Sequence, residues 1–229
     1  ASYANAGAEG VGVYTNGEGL YPYNGTINGN VGEKVPYTQL SFTDYAEGIY
    51  VGYKCYETAD AEGFWDTTYA KEKWGIENGY EDVVQYPFGY GLSYSTFEIA
   101  FNGQPSYDDG TRTFTFNVNV KNTGDVAART PVELFVETPY DPDEGIEKAK
   151  VTLAAFGKTG VIEPDDTESV TLTVNRDELA SYDYATGEAY KLSAGDYTFY
   201  ADYGKYGSHC WANTSDTNNV LTWTYEGIT

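Results

Sequence analysis

Methionine is absent from the 229 residues, histidine occurs once and cysteine twice. Each scarcity closes a route. A zinc cage or a Ser-His-Asp triad would hang on His209 alone, with no supporting spacing around it. No glycine-rich loop is followed by the Lys and Ser/Thr that cradle a phosphate. No apolar run nears the roughly 20 residues of a membrane-spanning helix. Basic residues are few as well: 13 against 35 acidic, a formal net charge of -22. Such a surface repels nucleic acid and anionic lipid, while neutral ligands such as sugars are not excluded by it. Asp141, Asp143, Glu144 and Glu147 are dense without the calcium-loop order, and they read as solvated loop charges. Neither a metal nor a cofactor is expected.

The chain opens on Ala1 rather than Met and shows no signal-peptide pattern, so it is expected to be part of something longer. Cys55 and Cys210 are the candidate disulfide in an acidic, export-like chain, two free thiols being the alternative. The same composition leads to an extracellular or cell-surface expectation.

What is abundant is Tyr (24) and Gly (26), with 17% aromatic residues. Tyr and Thr favour pleated, half-buried surfaces. Residues 1–40 are rich in Gly, Asn and Tyr without lasting periodicity, which is loop and turn chemistry. Tyr45 to Ala59 reads as a strand or extended segment. Phe64-Trp65-Asp66 and Lys73-Trp74 offer aromatic residues among polar ones.

After Ser95 the pattern changes. Phe114, Phe116, Val118 and Val120 alternate, as do Val132, Leu134 and Val136. Further sets are Val151/Leu153, Val170/Leu172/Val174, Tyr197/Phe199/Ala201 and Leu221/Trp223/Tyr225. About seven short strands separated by Gly, Pro, Asn and Asp predict a mainly β chain: an immunoglobulin or fibronectin-III-like sandwich over 93–229. Residues 1–92 form an irregular preceding segment. The only helix expected is a single turn at Arg176–Leu179.

Tyr86-Pro87-Phe88-Gly89-Tyr90-Gly91-Leu92-Ser93-Tyr94-Ser95-Thr96-Phe97 resembles the segment that joins the α/β sandwich domain of family 3 glycoside hydrolases, best known as β-glucosidases, to their fibronectin-III-like domain. Glu47 to Tyr53 resembles the strand before that linker, and Val120 to Ala127 the first hairpin of the sandwich. Leu153 to Thr159, Leu179 to Asp183 and Ala194 to Phe199 follow in the family order, with a flavour closest to clostridial-type members. Several of those have a permuted order in which the barrel follows the sandwich.

The resemblance places the family's catalytic Asp and Glu outside this chain, so no catalytic residue is carried over. It implies a wall of the cleft at most, with the loop before Tyr45 and the candidate substrate-binding side chains Trp65 and Trp74 approaching a bound sugar. It also implies an end of the α/β domain over 1–92, and the absent α/β and barrel domains of the same enzyme as partners. The competing expectation is a stand-alone extracellular assembly protein whose partners are copies of itself, added strand to strand. A carbohydrate-binding module is a third.

Overall fold

The computed structural model describes residues 47–214 and 217–227, together with four short strands nearer the start: β1 (Leu20–Pro22), β2 (Thr26–Ile27), β3 (Asn30–Val31) and β4 (Lys34–Pro36). β1 pairs with β4 and β2 with β3, both antiparallel. These are the described parts of a stretch expected to be loop, and the loop before Tyr45 otherwise lies outside the described residues.

Alternation builds the larger part of the fold. In β7 (Thr113–Asn122) every second side chain from Phe114 to Asn122 is buried, as a strand with one face on a core requires. β7 sits between β10 (Thr167–Asn175) on one side and β5 (Phe97–Phe101) and β6 (Ser106–Asp108) on the other. The second sheet runs β14 (Val220–Tyr225), β13 (Gly195–Asp202), β8 (Pro131–Glu137), β9 (Thr152–Lys158). Neighbours in both sheets are antiparallel. Between the sheets lie Phe114, Phe116, Val118, Val120, Leu134 and Phe199, each at most 1% exposed. The expected sandwich is present, and the alternating sets supply its core.

A small hairpin, β11 (Ser181–Asp183) with β12 (Ala189–Lys191), follows the expected turn at Arg176–Leu179, which is 3₁₀. That turn is not alone. α1 (Tyr53–Ala61), α2 (Thr68–Trp74) and α3 (Tyr80–Val83) occupy the segment before the sandwich. Tyr45 to Ala59 is therefore not one extended run: its described part is a turn at residues 47–49, then α1 from Tyr53. Nor does Glu47 to Tyr53 form the strand its resemblance implied. Tyr53 packs against the sheet and Tyr56 into the core of the helical segment, and this packing outweighs their strand propensity.

This helical segment carries its own core of Tyr56, Trp65, Ala70, Ile76, Tyr80 and Val84. It lies on the outer face of the second sheet, where Phe135, Val151, Tyr200 and Cys210 make a third cluster with Tyr53 and Trp211 against it. The second sheet is thus covered on its inner face and, around Phe135 and Tyr200, on its outer face.

Candidate functional site

Strand alternation directs Val132, Leu134 and Val136 of β8 to the main core, so Glu133, Phe135 and Glu137 face outward. On β13 their cross-strand partners are Asp202, Tyr200 and Thr198. Phe135, Tyr200 and the backbone around them receive the segments that cover this face.

α1 is fastened first. A bulge at Leu134/Phe135 interrupts the β8–β9 ladder, and the Leu153 N–H there donates to Tyr53 Oη at 3.0 Å. One turn on, Thr58 Oγ1 accepts from the Lys150 N–H at 2.8 Å and donates to Lys54 O at 2.7 Å. Lys150 Nζ donates to Glu137 at 2.5 Å and stands 4.9 Å from the Trp211 ring.

Glu57, 0% exposed, joins the helical segment to the 3₁₀ turn Gly207–Ala212. Oε1 accepts from Tyr80 Oη at 2.5 Å and Ser208 Oγ at 2.7 Å; Oε2 accepts from Trp211 Nε1 at 2.7 Å and lies 2.8 Å from His209 Nδ1. Four partners fit an acceptor-only carboxylate and leave no lone pair idle. The His209 ring stacks on Tyr80 at 3.8 Å, and its Nε2 is 4.0 Å from Asp60. Burial raises the Asp60 carboxyl, with His209 pulling the other way.

The Tyr86–Tyr94 segment docks beside it. Phe88 stacks on Tyr53 at 4.6 Å and meets Phe135 edge-on at 6.5 Å. Its carbonyl accepts from Ser208 N at 2.7 Å, and Gly91 N donates to Gly204 O at 2.8 Å. The Asp202 carboxylate shapes the receiving loop by accepting from the N–H groups of Gly204, Tyr206 and Gly207. Glycine is required twice. A Cβ on Gly89 (φ +87°) would sit 2.3 Å from Glu133 Oε2, and one on Gly207 (φ +55°) 2.2 Å from Phe88 O. Glu133 Oε2 itself is buried without a hydrogen-bond partner among the described residues. Burial, then the neighbouring Asp202, pushes the Glu133 carboxyl up to about 8. Burial raises Asp202 too, against its backbone donors.

Residues 130–202 match the fibronectin type III-like domain family. A β-glucosidase of Ruminococcus albus is 35% identical over 182 residues, spanning 77% of this chain and 16% of that protein. An exo-α-(1→6)-L-arabinopyranosidase of Bifidobacterium breve is 36% identical over 60% of this chain and 14% of its own length. The solved structure of β-glucosidase 3B from Thermotoga neapolitana with glucose superposes with a TM-score of 0.52 at 29% identity, covering 79% of this chain and 20% of that one. The chain carries the fibronectin type III-like region of the family 3 glycoside hydrolases. It spans about a sixth of the first of these relatives.

In the helical segment before the sandwich, Trp65 and Trp74 come together with ring centroids 6.3 Å apart but differ in exposure. Trp65 is 5% exposed and donates Nε1–H to Tyr56 O at 3.1 Å. Trp74 is 43% exposed, edge-on to Phe64, Trp65 and Tyr69, with Lys73 Nζ 4.6 Å above its ring. Cys55 and Cys210 are both free, which overturns the expected disulfide. Cys210 is buried among Phe135, Val151 and Tyr200, while Cys55 is half-buried on α1 outside that cluster. Burial raises both thiols. Glu144 is not merely solvated: it accepts from Ser193 Oγ at 2.6 Å and pairs with Lys191 at 3.1 Å.

Sequence reading missed Glu57, Glu133 and Asp202. A signal existed for the last two: Phe135 and Tyr200 sit at the outward positions of their strands, where a solvated face would carry polar residues.

Proposed function

We propose that this chain is a non-catalytic portion of a β-glucosidase-like enzyme, a fibronectin-III-like module whose docked connecting segment is the platform for the catalytic domains. One observation carries this reading. Tyr86–Tyr94 is held on its inner side by Phe88 and two backbone hydrogen bonds, while Leu92 and Tyr94 are 90% and 98% exposed. Tyr86, Tyr90 and, on β9, Phe156 are exposed as well. A fixed backbone with outward apolar side chains suits a surface that other domains cover. The short share of each relative that this chain spans leaves ample chain to do so.

Terminal β-glycoside hydrolysis is proposed for the longer protein, with its carboxylate pair outside the 229 residues. Trp65 has its ring and N–H committed to the helical core, so Trp74 is the better of the two for approaching a sugar. A location outside the cytoplasm rests on the acidic composition alone, because the two thiols are free.

The test compares the purified 229-residue chain with a longer chain from the same source on aryl β-glucosides. The longer chain is expected to turn over and this one to be inert. Turnover by this chain, tracking the protein through purification, would refute the reading.

A further inference from the structure

Away from the dock, the 3₁₀ turn Arg176–Leu179, strand β12 and the end of β14 enclose an open groove of about 540 Å³. That volume falls within the range of small-ligand clefts. Its lining mixes chemistries: the Tyr190 and Tyr225 rings with Leu192, against Arg176, Asp177 and Lys191.

The charges there are paired: Asp177 meets Arg112 at 2.8 Å, and Lys191 meets Glu144 at 3.1 Å. Arg176 stands only 3.8 Å from Asp177, and its Nε–H is a buried donor without an acceptor among the described residues. Native structures seldom leave such a donor unused.

The aromatic wall is held in place. Asp183 accepts from the N–H groups of Ala185, Thr186 and Gly187 and from Thr186 Oγ1, which fixes the β11–β12 turn. That hairpin presents Tyr190 at 76% and Tyr182 at 47% exposure, edge to face at 5.3 Å. Keeping two large rings in water on a braced hairpin calls for something to cover them.

We infer that this groove is an auxiliary binding site for a neutral oligosaccharide, with Tyr190 as the stacking platform and Arg176, Asp177 and Lys191 as partners for its hydroxyls. A pyranose offers an apolar C–H face and a rim of hydroxyls without charge, and that is the pattern of this lining. Only the choice of a β-glucan as probe rests on the enzyme reading above.

The experiment titrates cellotetraose into the purified chain, by calorimetry and by amide shift mapping. Saturable binding is expected, with a Kd of about 0.1–5 mM, as befits a shallow site. The shifts should centre on Tyr190, Lys191 and Tyr225, and Tyr190→Ala should weaken binding at least about tenfold with the near-ultraviolet dichroism of the core unchanged. No saturable binding, shifts centred elsewhere, or a smaller effect of Tyr190→Ala overturns the site. Because the mapping uses the wild-type chain, a misfolded variant would not blunt the test. Binding by this chain beside an inert longer protein would keep the groove and remove the glycosidase reading; the reverse result would remove only the groove.

Discussion

Gly89 and Glu133 face each other in the dock, and each constrains the other. Gly89→Ala adds a methyl group where 2.3 Å is available, at a φ of +87°. The positive-φ strain, with the Glu133 carboxylate turned aside, should cost about 1–3 kcal/mol, read as a lowered midpoint in urea. Glu133 sets a pH dependence whose sign follows from its shift. Its carboxyl rises from the ordinary 4.5 to about 8 on folding, so the folded chain holds this proton more tightly. The stability is fully present below pH 4.5 and is lost as pH rises through about 8; Asp202, also raised, acts in the same direction. Glu133→Gln should flatten the profile between pH 5 and 8 and leave the variant at least about 1 kcal/mol more stable than wild type at pH 8, allowing for solvent screening of a half-buried group. Glu57→Ala acts the other way. It strips Tyr80, Ser208, His209 and Trp211 of their common partner, and equilibrium unfolding should register a loss of about 3–5 kcal/mol.

At the scale of elements, the hold of α1 on the second sheet can be probed at one atom. Tyr53→Phe removes the acceptor for the Leu153 N–H and should cost about 1 kcal/mol, with faster hydrogen exchange at the Leu153 amide as its signature. The sandwich strands were legible because one buried face imposes a period of two, as in Phe114, Phe116, Val118 and Val120. α1 was not. Its sequence Tyr-Lys-Cys-Tyr-Glu-Thr-Ala-Asp-Ala has modest amphipathic character and a buried Glu57 that no pattern marks as apolar. The features that make it a helix here, Tyr53 and Thr58 on β9 and its approach and Glu57 on the Gly207–Ala212 turn, are contacts about 90 to 150 residues apart. The dock was half legible: Phe88 and the glycines stood out as a motif, whereas the positive φ of Gly89 and the Glu133 carboxylate behind it exist only in the folded chain. The disulfide failed for a related reason, since spacing says nothing about which cluster a thiol enters.

At the scale of the whole molecule, three layers follow in order: first sheet, second sheet, and a helical layer with the connecting segment. The middle sheet is buried on its inner face and, around Phe135 and Tyr200, on its outer face, and the third layer turns Leu92 and Tyr94 outward. The central claim is that this outward side meets the rest of a longer enzyme. Replacing Leu92 and Tyr94 together with Asp and following thermal unfolding, in this chain and in the longer protein, tests it most directly. The isolated chain should be unchanged within about 0.5 kcal/mol, because both side chains are already in water, while the longer protein should melt several degrees lower. An unchanged melting temperature in the longer protein, or an equal fall in both, would contradict the account.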